Sequence, residues 1–310
     1  ADEGLDKVAQ RQHFGAATAD GEHIGGEVRL RRGVPPELVE QMVLRCPGRV
    51  KLRGRGGAEK ILGSGELHFH NLGGAREIYD HRTGLRRRAA LQDVCDSARL
   101  LDALEAATTI TPFYTPQDVP GEVMSLAMYR HSLPHTVKPL QGPGLQTAEE
   151  VRFIVRMAEV IGSPEEMLSV GVSPVSPLTF QDDAVGAIIE AARTGVLLTP
   201  LPCPTAGTTA PLTIAGALAQ QNAEVLASIV LAQAVKPGLP MVYCGRLAMM
   251  EPRTGISVWG GIELGLASAG TVAVAHRYGL PVNVYGFSTN PPIPDLQNGF
   301  ERSLNAIIPA

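Results

Sequence analysis

Six short apolar runs alternate with longer helical stretches, the runs are apolar on both faces, and none is followed by a G-x-G-x-x-G string. Together these observations predict an α/β fold of parallel strands covered by helices, a (β/α)8 TIM-type barrel seen through about its sixth strand. An N-terminal α+β appendage over residues 1–105 leads into the barrel unit at 106–310.

In the appendage, residues 27–30 and 66–70 read as short strands, 35–44 as a short helix and 91–106 as a longer one. Pro36 falls in a first helical turn, where its missing N–H costs nothing. The barrel opens with TITPFY at 109–114, followed by a helix over 119–133. An extended piece at 138–141 precedes an amphipathic helix at 147–161, with Val151, Ile154, Val155, Ala158 and Ile161 on one face. Strand 167–172 (MLSVGV) then leads to helix 182–193, and strand 196–201 (VLLTPL) to an Ala-rich helix at 212–235. Strand 239–244 (LPMVYC) precedes helix 262–278, and strand 280–285 (LPVNVY) precedes a helix over 294–308. Such alternation implies right-handed βαβ units. GRGG at 54–57 and GPG at 142–144 fall short of a dinucleotide fingerprint, and no Walker A string occurs. With strands seven and eight missing, the expectation is a fragment, or a barrel completed by another chain.

Composition narrows the function. The chain has 310 residues, 44% hydrophobic and 19% charged, enough for a sizeable core. Residues 1–100 hold 17 Lys/Arg against 14 Asp/Glu, and the rest 10 against 17, so no segment carries the basic clustering of a nucleic-acid binder. Cys46, Cys95, Cys203 and Cys244 form no C-x-x-C pair, which argues against a zinc finger or a disulfide framework. The opening residues lack the apolar core of a signal peptide, and Pro200, Pro202, Pro204 and Pro211 interrupt the uncharged stretch 194–223. The expectation is a soluble, cytoplasmic protein that binds neither nucleic acid nor membrane and assembles as a homo-oligomer.

In a barrel of this kind the site lies where the strands end. The loops there hold few ionisable groups (Asp118, Arg246, Glu251, Arg253 and Asp295) and no histidine, so a Ser-His-Asp triad or a His-rich metal centre lacks raw material. They offer hydroxyls, amides and aromatics instead, a lining suited to a small neutral or cationic ligand whose reacting partner comes from outside. The loop 204–211 is small-residue-rich and opens a helix, which favours anions at its amides; a plain Gly/Thr turn explains it equally simply. Cys203 and Cys244 end neighbouring strands but have no third ligand beside them. His68 and His70 share one strand face, and Arg86-Arg87-Arg88 reads as a solvated face or a docking patch for an acidic protein.

Several strings carry a resemblance. They are Ser173-Pro174-Val175-Ser176-Pro177-Leu178, the segment 204–240, Arg253-Thr254-Gly255, Tyr278-Gly279-Leu280-Pro281 and Pro294-Asp295-Leu296-Gln297. Upstream stand Gly73-Gly74, Asp80 with Thr83-Gly84, and Gln117-Asp118-Val119-Pro120. In order and spacing the chain resembles the trimethylamine methyltransferase superfamily of corrinoid-dependent enzymes. The resemblance implies a barrel that moves a methyl group from a substituted amine to the Co(I) of a separate corrinoid protein, in one-carbon metabolism related to methanogenesis. No cofactor is then bound tightly and no metal is held; the corrinoid (cobalamin) comes with the cognate partner. Where members acting on trimethylamine carry pyrrolysine, this chain has Phe287-Ser288-Thr289-Asn290-Pro291-Pro292, so it resembles the branch without that residue, some members of which demethylate glycine betaine. A quaternary ammonium needs no protonation to leave, which fits the missing residue.

The expected catalytic residues are Glu251, Asp118 and Asn290. The expected substrate-binding residues are Tyr114, Gln117, Ser173, Ser176, Thr208, Thr209, Tyr243, Trp259, Ser288 and Asp295, with the aromatics facing the cation. Two other functions fit the residues: a zinc-dependent methyltransferase using Cys203 and Cys244, or a non-catalytic barrel that binds a methylated osmolyte.

Overall fold

A computed structural model describes residues 22–24, 27–29, 34–142, 145–291 and 293–310. Among them, strand and helix alternate seven times: β1 (Phe69–His70), α1 (Leu91–Ala103), β2 (Ala107–Thr109), α2 (Met124–Ser132), β3 (Leu140–Gln141), α3 (Ala148–Glu159) and β4 (Leu168–Val172) come first. Then follow α4 (Asp182–Thr194), β5 (Leu197–Pro200), α5 (Ile214–Val235), β6 (Tyr243–Gly245), α6 (Ile262–Arg277), β7 (Val282–Val284) and α7 (Leu296–Ile307). Parallel ladders join β1 to β2, β3 to β4, β4 to β5 and β6 to β7. Single parallel bridges, Ile110 to Leu140 and Leu198 to Met241, carry the series across the two remaining gaps. The order nowhere reverses. Beyond the last ladder, the His70 ring of β1 meets the Asn283 side chain of β7 at 3.1 Å.

The architecture is mixed α/β, and it differs from the sequence reading in two places. The segment 66–70, expected in the appendage, supplies β1, so the parallel series has seven described strands rather than six; its pairing with β2 crosses the boundary expected near residue 105. The strand expected at 109–114 shortens to Ala107–Thr109, because Pro112 has no N–H to continue a ladder.

Local chemistry sets the helix limits. Thr147 accepts the Glu150 N–H at 3.2 Å while Glu150 accepts the Thr147 N–H at 3.1 Å, a reciprocal box that opens α3. Thr213 caps α5 and Asp295 caps α7 through side-chain oxygens. Gly195, with φ 82°, ends α4 in a left-handed turn that a Cβ would resist.

Strands β4, β5 and β6 bury both faces. Leu168, Val170 and Val172 of β4, Leu198 of β5 and Tyr243 of β6 point outward with Met241 into one core with Ile154, Ile188, Val225 and Ile229 of the helices. Leu197, Val242 and Cys244 point the other way and pack on Val50 and Leu52 of an antiparallel hairpin, Val50–Arg53 with Glu59–Leu62. Helix α5 has the length and composition of a membrane span, with a mean hydropathy of 1.3 in its most apolar window. It packs against α4, α6 and the helix Pro36–Arg45. Its polar side chains are spent on neighbours: Gln221 donates to Thr271 at 2.9 Å and Gln233 to the Leu239 carbonyl at 2.8 Å. Buried polar groups held in this way are the pattern of a core helix.

Leu198 is fully buried between β5 and the helices. Leu198→Ala is expected to cost about 2–5 kcal/mol in urea unfolding. A loss below about 1 kcal/mol would show that the outer core relaxes around the missing side chain.

Candidate active site

Alternation along the strands decides which residues meet. Because Met241 and Tyr243 lie in the outer core, Val242, Cys244 and Arg246 lie on the inner side of β6 and its extension. On β1 and β7 the inner contact is His70 with Asn283. A cavity of about 610 Å³ opens here, lined among others by His68, His70, Thr109, Gln141, Asn283 and Tyr285.

Burial drives the His70 pKa below its ordinary value, and Arg246 nearby adds to that, so the ring is neutral. Its Nδ1 faces the Asn71 carbonyl at 2.9 Å and its Nε2 faces the Asn283 side-chain oxygen at 3.1 Å. A neutral imidazole has one N–H, so it donates to the carbonyl and accepts from Asn283 once that amide is turned to present its NH2 group.

At the strand ends the Arg246 guanidinium lies over the Tyr285 ring, 5.2 Å from its centroid. Trp259 meets the same ring edge-on at 5.3 Å. Burial pushes the Tyr285 phenol up. The Asn290 side-chain oxygen accepts the N–H groups of Trp259 at 2.7 Å and Gly260 at 2.5 Å, tying the loop after β7 to the loop after β6. Glu301 of α7 holds that loop in turn, accepting the Thr289 hydroxyl at 2.8 Å and the Asn290 N–H at 2.9 Å. Burial works to raise the Glu301 pKa, but these bonds and one from Gln297 outweigh it and hold the carboxyl below its ordinary value. Fully buried Asn305 closes the corner by donating to the carbonyls of Gly260 and Ser288.

The residues expected at the mouth divide. Trp259, Ser288 and Asn290 come together in the corner just described. Tyr243 does not: it faces the outer core at 1% exposure, and its hydroxyl donates to Asn222 of α5 at 3.0 Å. The two expected carboxylates serve the backbone. Asp118 accepts the Leu91 N–H at 2.9 Å at the start of α1, and Glu251 accepts the Arg253 N–H at 3.0 Å in its own turn. Asp295 is the α7 cap, and Thr208 and Thr209 bond within the turn they belong to, to Thr205. Ser176 donates at 2.8 Å to Glu224, a carboxylate on α5 that is 1% exposed. Gln117 donates to the Thr115 carbonyl, and Tyr114 packs edge-on against Phe113. Ser173 is exposed just past β4.

Sequence reasoning noted Arg246, Tyr285 and His70 without placing them in the site, and passed over Asn283, Glu224 and Glu301. A signal existed for three of them: Asn283 and Tyr285 alternate on one face of the predicted last strand, as His68 and His70 do on another. Among the described residues no three His, Cys, Asp or Glu side chains gather as a metal site, and Cys244 is fully buried while Cys203 lies exposed in the loop after β5. The arginine run forms one strand of the hairpin Glu77–Tyr79 with Arg86–Arg88, where Arg86 pairs with Glu77 and Arg87 with Asp80 and Asp93.

A family model described as trimethylamine methyltransferase (MTTB) matches residues 2–310. The chain is 30% identical over 284 residues to trimethylamine methyltransferase MttB of Desulfitobacterium hafniense (strain DSM 10664 / DCB-2), covering 89% of this chain and 57% of that protein. It is 30% identical over 279 residues to the glycine betaine methyltransferase of Desulfitobacterium hafniense (strain Y51), covering 86% and 57% respectively. Identity to trimethylamine methyltransferase MttB1 of Methanosarcina mazei is 30% over 289 residues, covering 89% and 58%. The chain therefore spans a little over half the length of these relatives.

The His70 environment has a consequence for stability. Its folded pKa is depressed below 6.5, so the unfolded chain takes up the proton first as pH falls. The contribution of His70 is present in full above about pH 6.5 and is lost as pH drops from there through the lower folded value. Melting temperature measured between pH 8 and 5 is expected to fall more steeply for the wild type than for His70→Gln. Parallel curves for the two proteins would contradict the buried neutral ring.

Proposed function

Since this chain belongs to the trimethylamine methyltransferase family, we propose that it serves the transfer of a methyl group from a quaternary amine of the glycine betaine type, or from a methylamine, to the Co(I) of a corrinoid carried by a partner protein. The observation that carries this reading is the family match across the chain, with both a trimethylamine and a glycine betaine methyltransferase among the relatives. In the same reading the seven strands belong to a (β/α)8 barrel, and the reaction takes place at their carboxyl ends.

The residues present fit a reaction whose acceptor stays outside. The cavity of about 610 Å³ suits a small amine and is too small to enclose a corrinoid macrocycle, which would cap the mouth. The reduced corrinoid supplies the nucleophile, so the chain needs none of its own. Its residues bind and orient the amine. The ring of Trp259, whose backbone N–H Asn290 accepts, would offer a π face to a methylated nitrogen. Asp118 and Glu251, whose oxygens cap local backbone, would add negative charge in the loops after the strands and so help to draw a cation in. A quaternary donor departs as a neutral tertiary amine, so no proton has to be supplied at the nitrogen.

Mixing the protein with a reduced corrinoid protein and a series of betaines and methylamines tests the reading through the cobalt absorbance. Loss of the Co(I) band with at least one methylated amine is the expected outcome, and a spectrum unchanged by every donor would exclude it. Within that assay, Asn290→Ala removes the bonds to the Trp259 and Gly260 amides, each worth about 1 kcal/mol. It is expected to lower the rate at least tenfold with little change in melting temperature; an unchanged rate would remove Asn290 and Trp259 from the site.

A further inference from the structure

We propose that Arg246 holds a carboxylate of the substrate and so selects zwitterionic amines over simple cationic ones; the proposal rests on the methylated-amine reading above. The first argument is position. Arg246 continues the inward series Val242, Cys244, Arg246, which places it at the strand end above the cavity rather than among the helices. The second is partnership. Arg53, Arg86 and Arg87 each pair with a carboxylate, whereas among the described residues none lies within pairing distance of Arg246. Its described contacts are with Tyr285, whose ring holds the guanidinium by its face and whose phenol is hydrogen-bonded to it.

A half-buried guanidinium stacked in this way, with one donor turned to the Tyr285 phenol, keeps further N–H groups in a planar fork that matches the two oxygens of a carboxylate. The acids around the strand ends cannot fill the fork, because their described oxygens are engaged elsewhere. Glu224 accepts from Ser176, Leu178 and Gln220, and Glu301 accepts from Gln297, Thr289 and Asn290. The charge of Arg246 is also felt at Cys203, Cys244 and His70, from three different strands or their loops, which places it amid the strand ends. A fixed cation there repels a plain trimethylammonium ion, yet it favours a ligand that brings an anion alongside its methylated nitrogen.

Trp259 is the one tryptophan of the chain and touches the ring beneath Arg246, so its fluorescence reports on this site, with calorimetry as a second readout. Three probes separate the charges: glycine betaine carries both, choline has the ammonium alone, and 3,3-dimethylbutanoate has the carboxylate with a neutral tert-butyl group. The wild type is expected to bind glycine betaine at least tenfold more tightly than choline. Arg246→Gln should weaken glycine betaine and 3,3-dimethylbutanoate at least tenfold and leave choline within about twofold. Arg246→Lys, which keeps the charge but loses the fork, should lie between. If Arg246→Gln fails to fold, the Lys variant decides: at an unchanged melting temperature, a several-fold loss of betaine preference supports the proposal and no loss overturns it. Unchanged betaine affinity in Arg246→Gln, or an equal loss for choline, also overturns it. Arg246-dependent binding of 3,3-dimethylbutanoate with no binding of either ammonium keeps the carboxylate anchor and removes the methylated-amine reading. No binding of any probe to the wild type removes both.

Discussion

A parallel strand has no residue to spare for solvent, and the rest of the structure depends on that constraint. Alternate residues of β4, β5 and β6 must go to opposite faces, and both faces are covered, one by helices and the other by the inward-facing hairpin. The outer set is apolar save for the Tyr243 hydroxyl, which finds its acceptor in Asn222 of α5. The inner set changes character along the strands, from Leu197 and Val242 against the hairpin to Asn283, Tyr285 and Arg246 at the other end. Asn283 belongs to the ladder itself, whereas Arg246 and Tyr285 stand one residue past it, so the polar end of the inner face begins in β7 and is completed where the strands give way to loops.

The loops are held by buried acceptors more than by ion pairs. Glu224 satisfies the N–H of Leu178, a non-glycine residue at φ 53°, together with the Ser176 hydroxyl and the Gln220 amide. A left-handed conformation at such a residue costs on the order of 1 kcal/mol, and a carboxylate accepting several hydrogen bonds offsets that strain. Glu301 plays the same part for the loop after β7. In each case the carboxylate sits on a helix and the groups it holds sit in a loop at the strand ends, so the rigid layer positions the irregular one.

Much of this was legible in the sequence. The helices at 182–193 and 262–278 were expected within a residue of their observed ends, because their apolar spacing and flanking turn residues are strong local signals. β1 was expected as a strand within 66–70, but its place in the parallel series was not, since a two-residue strand shows which sheet it joins only through its partner. The site was less legible, and the reason is chemical. A carboxylate in a strand-to-helix loop is equally apt as a ligand group and as a helix cap, and Asp118 and Asp295 serve as caps. Tyr243 failed for a different reason: its run, LPMVYC, is apolar throughout, so the sequence gives no phase from which to tell its inner face from its outer one.

The Asn290 clasp has a dynamic side. One side-chain oxygen accepts from two successive amides about thirty residues away, and Asn305 of α7 bonds the Gly260 and Ser288 carbonyls of the same two loops, so the loops after β6 and β7 are joined at one corner. Neither can swing away from the other without breaking these shared bonds. Opening of this part of the mouth is then one event with one relaxation time, shared by residues that the chain keeps far apart.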